Sequence, residues 1–183
     1  AGETRTCVLL VDPAGGDATA LNEVGPPLAE ADWAAFAADV RGLAPGAAMV
    51  LITGSMPHGV APERLGELVA ALGALGVAVL VDCSGPPLAA ALAAEPWGVK
   101  VNGAELGAAL GRPVEDVAGA VVALRELHGR GVSLAAVSLG GQGCVASDGA
   151  SCWWARPPQE PVVSTVGSGA SLLAGLATGL LRG

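Results

Sequence analysis

At 183 residues, the chain is long enough for one domain that buries roughly 70% of the surface its unfolded form would expose. Its 52% hydrophobic and 14% charged content excludes intrinsic disorder and favours a core covered on both faces. A formal charge of −8 with only nine lysines and arginines argues against nonspecific nucleic-acid or anionic-membrane partners. Any phosphate bound here must therefore be held by a few placed cations and backbone amides.

In chain order, Cys7–Val11 and Ala20–Val24 are short apolar runs around Pro13-Ala14-Gly15-Gly16-Asp17, which predicts a hairpin. Glu30–Leu43 sets Trp33, Phe36, Ala37, Val40 and Leu43/Ala44 on one stripe at helical spacing, with Asp32 near its start. Met49–Ile52 is a predicted buried strand ending in Thr53-Gly54-Ser55-Met56-Pro57. The alternation then repeats. Helix Pro62–Leu75 precedes strand Val77–Val81 and the loop Asp82-Cys83-Ser84-Gly85; helix Leu88–Ala94 precedes strand Trp97–Val101 and the loop Asn102-Gly103-Ala104-Glu105. Helices over Ala104–Leu110 and Val114–His128 lead to strand Leu134–Val137 and the turn Ser138–Gly143. Cys144–Ala146 and Cys152–Ala155 predict a second hairpin.

Four scattered cysteines without a C-x-x-C pair suit reduced thiols packed as small core residues in a cytoplasmic protein. Two isolated histidines, His58 and His128, give no basis for a metal cluster. The longest apolar runs are glycine-interrupted and shorter than the ~20 residues of a membrane span.

Ser164–Ser171 is a glycine-rich turn feeding an apolar run, Leu172–Leu181. Such a turn leaves amides without intrahelical partners and aims the positive end of the helix dipole at one spot, which suits a phosphate. Strands alternating with helices indicate an α/β domain with a mostly parallel sheet, whose ligands bind at the carboxyl ends of strands. Thr53–Pro57, Asp82–Gly85, Lys100–Glu105, Ser138–Gly143 and Gly167–Ala170 are thus expected to gather at one rim.

These loops carry a resemblance. Thr53-Gly54-Ser55-Met56-Pro57-His58-Gly59-Val60 resembles S-G-S-L-P-x-G-V of the phosphofructokinase-B branch of the ribokinase-like sugar kinases, and Val81–Gly85 resembles its V-D-x-S-G. Lys100–Leu106 is similar to K-P-N-x-x-E-L, Val137–Gly143 to V-S-L-G-x-x-G, and Thr165–Ser171 to T-V-G-A-G-D-S. Gly2–Thr6 and Leu21-Asn22-Glu23 match the early part of its ketose-phosphate kinases. The resemblance implies a three-layer ribokinase-like α/β/α sandwich with an incomplete lid, residues 1–183 forming one partial domain that lacks the family's N-terminal segment and C-terminal end. It implies an ATP- and Mg²⁺-dependent phosphoryl transfer to a ketose phosphate (fructose 1-phosphate, tagatose 6-phosphate or fructose 6-phosphate).

Carried over residue by residue, Gly167, Ser168 and Gly169 supply an anion hole, and Ala170 stands where the family has its catalytic aspartate. Lys100, Asn102 and Glu105 are expected at the ATP phosphates and Mg²⁺, the last two through water. Ser138, Gly140 and Gly143 are expected at the nucleotide, and Arg5, Ser55 and Asn22 at the sugar phosphate. Each has a structural alternative: Asn102 and Glu105 as a capping box, Ser138–Gly143 as a tight turn, Arg5 as a solvated surface cation, Asn22 as a turn residue. Asp12 and Asp82 read only as caps. Alanine cannot accept a proton, so low turnover is expected of this chain, and a nucleotide-binding or regulatory module is the alternative function. A dehydrogenase lacks support, since no G-x-G-x-x-G follows the first strand. An exposed sheet edge could promote homodimerisation.

Overall fold

The computed structural model describes residues 3–12, 17–158 and 166–182. Strands β1 (Cys7–Asp12) and β2 (Asp17–Asn22) pair antiparallel as a separate two-stranded ribbon, with Cys7 opposite Asn22. The connecting residues 13–16 lie outside the described residues, as do Gly2, Ser164 and Thr165 of the motifs above.

A six-stranded sheet follows, in the order β3 (Val50–Thr53), β4 (Val79–Asp82), β5 (Gly98–Asn102), β6 (Leu134–Ser138), β7 (Cys144–Ser147), β8 (Cys152–Ala155). The first four strands are parallel and the last two antiparallel. Neighbouring strands stay next to one another because each parallel pair is bridged by helical connections. The helices are α1 (Glu30–Leu43), α2 (Glu63–Ala74), α3 (Gly85–Ala93), α4 (Gly103–Leu110), α5 (Val117–Gly129) and α6 (Ser168–Arg182).

The side-chain alternation of the strands divides the core in two. Val79, Val81, Val99, Val101, Ala135 and Val137 form one large cluster with Trp33, Leu65, Leu72, Leu88, Leu106 and Leu124, which come from α1 to α5. Leu80, pointing the other way, packs with Leu173 and Ala177 of α6. The result is three layers, with five helices on one face of the sheet and α6 on the other.

Two expectations need correction. The stripe on α1 is only half buried: Trp33 is enclosed, but Phe36 is 50% and Leu43 78% exposed. Beside it, Phe36 lines an apolar cavity of about 540 Å³ with Leu51, Ile52 and Met56 along the edge strand β3. The cysteines are not all core residues either. Cys83 is buried and Cys144 half-buried, whereas Cys7 and Cys152 are exposed because they lie on the ribbon and on the edge strand β8. No helix among the described residues is long and apolar enough to cross a membrane, and no group of His, Cys, Asp and Glu among them could hold a metal ion.

Candidate functional site at the carboxyl edge of the sheet

The parallel register brings the loops together. Thr53 stands beside Asp82, and Asn102 beside Ser138, so β3 to β6 all end at one edge. Helix α6 begins at the same edge, because an ideal Cβ placed on Gly169 would lie 3.0 Å from the Lys100 ammonium. With glycine at 169 the first turn of α6 meets the lysine with no side chain between them; a methyl there would press on the ammonium and move it by a few tenths of an ångström. The Ser171 amide closes that turn on the Gly167 carbonyl at 2.9 Å, with Gly167 in the left-handed region at φ 80°. The first-turn amides of a helix, here those of Ser168, Gly169 and Ala170, have no acceptor within the helix itself. Ser168 and Gly169 line the site, where the positive end of the helix dipole also points. Ala170 is exposed in this turn.

Ser138, Gly140 and Gly143 line a cavity of about 360 Å³ together with Ser168, Gly169 and Leu172. The turn they form is held by the Leu139 amide donating to the Gly143 carbonyl at 2.8 Å. Gly143 adopts φ 100°, and a Cβ there would collide with the carbonyl oxygen of Ala155, so β8 can cross directly over the turn only if 143 is glycine.

Asn102 and Glu105 form the capping box that their spacing allowed. The Glu105 amide donates to Asn102 Oδ1 at 2.8 Å, and the Asn102 amide donates to Glu105 Oε2 at 3.0 Å. This reciprocal pair fixes both side chains at the start of α4. It leaves Glu105 Oε1, an acceptor, and the Asn102 side-chain amide, a donor, without a bond among the described residues, so the cap is compatible with the carboxylate facing a hydrated cation and the amide facing an anion.

Lys100 is 4% exposed and on the α6 side of β5. Its ammonium donates to Asp82 Oδ2 at 3.0 Å, and the two side chains are 5% and 14% exposed. Sequence reading assigned Asp82 no partner; the clue was available in the aligned strand ends of β4 and β5, but only once their register is known. Asp82 and Glu105 also act on Cys83. Burial first, then these two carboxylates, push its thiol up to about 12, which makes it inert as a nucleophile at neutral pH.

Of the predicted sugar-phosphate residues, Arg5 and Ser55 meet at the β3 end of the edge. Arg5 Nη2 donates to Ser55 Oγ at 3.0 Å, across 50 residues of sequence. Gly25, at φ 57°, lies against the Arg5 aliphatic stem. Asn22 is on the adjoining ribbon, opposite Cys7, and its side chain bonds neither Arg5 nor Ser55 among the described residues. A further cation was missed by sequence reading. Arg156 lines the Ser138–Gly143 cavity and rests 4.6 Å over the Trp154 ring, whose Nε1 donates to the Gln142 carbonyl at 2.9 Å.

A glycine-rich helix start, a buried lysine beside it and a glycine-rich turn thus gather at one edge of an α/β sheet, an arrangement suited to an anion such as a phosphate. In agreement, the description "pfkB family carbohydrate kinase" matches residues 1–183, and the chain belongs to that family. Among its relatives, a 1-phosphofructokinase of Rhodobacter capsulatus is 44% identical over 176 residues, covering 96% of this chain and 56% of the relative. A structure of phosphofructokinase-2 from Escherichia coli in complex with substrates and products superimposes with a TM-score of 0.90 at 31% identity, covering 99% of this chain and 59% of that one. Ribokinase of Arabidopsis thaliana, complexed with ribose and ATP, shares the fold with a TM-score of 0.72 at 21% identity, over 100% of this chain and 58% of that one. The fold is ribokinase-like, and the chain spans a little over half the length of the relatives it matches.

Proposed function

We propose that this chain is the nucleotide-binding part of an ATP-dependent kinase that phosphorylates a hydroxyl of a ketose phosphate. The convergence of Lys100, the α6 start and the Ser138–Gly143 turn at one edge carries the reading. The relatives named 1-phosphofructokinase favour fructose 1-phosphate over tagatose 6-phosphate or fructose 6-phosphate as acceptor.

Along the edge, the strand order sets sugar and nucleotide apart. Arg5 and Ser55 at β3 take the phosphate already on the sugar, since a guanidinium fork suits a phosphate dianion. The nucleotide lies over the ends of β5 to β7, its phosphates at the α6 amides and Lys100. Mg²⁺, when bound with ATP, would offset the charge on the phosphate oxygens; Glu105 Oε1 is the group here that would accept from its water shell, and the Asn102 side-chain amide would donate to a phosphate oxygen. The first-turn amides of α6, which have no acceptor within the helix, and the unshared carboxylate oxygen fit such a ligand. Because these donors are backbone groups already held in place, they stabilise a transferring phosphoryl without reorganising.

What the chain lacks is the proton acceptor. A carboxylate at position 170 would take the proton of the attacking hydroxyl, a contribution of roughly 10²–10⁴-fold; the methyl of Ala170 does nothing of the kind. Ala170 therefore also favours a second reading, a cytoplasmic nucleotide-binding module without turnover. The apolar ribbon residues Val8, Leu9, Leu10 and Leu21, all exposed, support a homodimer in either case.

The test is phosphoryl transfer from ATP to fructose 1-phosphate, comparing the parent chain with Ala170→Asp. The kinase reading expects the substitution to raise the rate about 100-fold or more. Equal, robust rates in both would refute the role given to position 170, and ATP binding without any gain would favour the non-catalytic module.

A further inference from the structure

Asp82 is close to the nucleotide reading yet has no part in it, and its surroundings are unusual for a carboxylate. A buried ion pair contributes little to stability compared with apolar residues of the same volume, because both charges lose their hydration. The ammonium that Asp82 holds also lies at the positive end of the α6 dipole, 3.0 Å from where a Cβ on Gly169 would stand. A lysine's four-carbon stem has many rotamers, and the local field would push a free ammonium away from the helix start. Among the described residues, the only group that bonds Lys100 Nζ is Asp82 Oδ2, at 3.0 Å.

We infer that Asp82 is a positioning residue. It holds the Lys100 ammonium at the first turn of α6, so that lysine and amides together present one preformed site to the terminal phosphates of a nucleotide. This rests on the proposed function, in which Lys100 meets those phosphates. The inference has an awkward corollary that makes it testable. Asp82 is itself negative, so by long-range field alone its removal should tighten the binding of a polyphosphate. Positioning predicts the opposite.

The experiment is calorimetric titration of the full chain with ATP, with Mg²⁺ and again with the metal chelated, for the parent, Asp82→Asn, Asp82→Glu, Lys100→Met and the Asp82→Asn/Lys100→Met double variant, each checked for folding by circular dichroism. Asp82→Asn is expected to weaken ATP about tenfold, a coupling of the usual size for contacting residues, in both metal conditions. The double variant should bind no more weakly than Lys100→Met, because Asp82 acts only through the lysine. Asp82→Glu keeps the charge but moves it outward by a methylene, and should fall between parent and Asp82→Asn. If Asp82→Asn does not fold, Asp82→Glu decides, and a parent-like affinity overturns the inference. Unchanged or tighter binding by Asp82→Asn also overturns it, as does a loss seen only with Mg²⁺, which would make Asp82 a partner of the metal instead. Should Lys100→Met and the double variant both bind ATP as the parent does, the placement of the phosphates at Lys100 fails, and this inference with it.

Discussion

On the face covered by α1 to α5, the main sheet presents Val50, Ile52, Val79, Val81, Val99, Val101, Ala135 and Val137, and five helices close over them. On the face beneath α6 the same strands present Leu51, Leu80, Asp82 and Lys100, and α6 contributes only Leu173 and Ala177 as buried residues. The first face is where apolar burial stabilises the fold. The second holds a charge pair and a helix start kept short of side chains, arrangements that add little to stability. In the proposed function, chemistry and packing are separated by the pleat, with alternate residues of a single strand serving one or the other.

That separation can be broken experimentally, beginning with the largest effect. Leu72→Ala, on α2 and fully buried under the five-helix face, should destabilise the chain by about 2–5 kcal/mol in chemical denaturation. ATP affinity of the folded fraction should be unchanged. If the affinity fell with stability intact, the two faces would not be independent.

Cys83 sharpens the comparison at the boundary of the two faces. Its folded-state value of about 12 lies above its ordinary value of 9.0, so between these values the unfolded chain gives up the thiol proton and the folded chain keeps it. Stability contributed by the neutral thiol is complete below pH 9 and is lost as pH rises toward 12, with a slope of about 1.4 kcal/mol per pH unit. Denaturation midpoints of the parent and Cys83→Ala across this range should diverge with that sign; parallel curves would show that the thiol is not held neutral. The smallest effect is expected of Leu51→Ala, at a 40% exposed position on the α6 face. It should change stability by within about 0.5 kcal/mol.

Much of this fold was legible in the sequence because its signals are local. Periodicity placed α1 at its observed bounds, and the i, i+3 spacing of Asn102 and Glu105 allowed for the capping box that forms. Helix α5 starts at Val117 instead of Val114 because the Asp116 side chain caps the Gly119 amide at 2.7 Å, leaving Val114 buried in the preceding loop. Helix α3 starts at Gly85 instead of Leu88, since prolines are tolerated where the first-turn amides have no partner. Lost to sequence reading was whatever depends on register between distant strands: the Asp82–Lys100 pair, Arg156 against Trp154, and the exposure of Phe36 beside an edge strand. Arg5 and Ser55 were coupled only through a family resemblance, as no local rule joins residues 50 apart.

The central claim is that the carboxyl edge, where α6 begins, receives a nucleotide's phosphates. A proton–nitrogen correlation spectrum of the chain, titrated with ATP and Mg²⁺, tests it residue by residue. The amides of Gly167–Ala170, Ser138–Gly143 and Lys100 should shift together with one apparent affinity, while those of Leu72 and Leu124 stay in place. Shifts confined to the opposite edge, around Trp97 and Ser133, or no shifts at millimolar ATP, would contradict it.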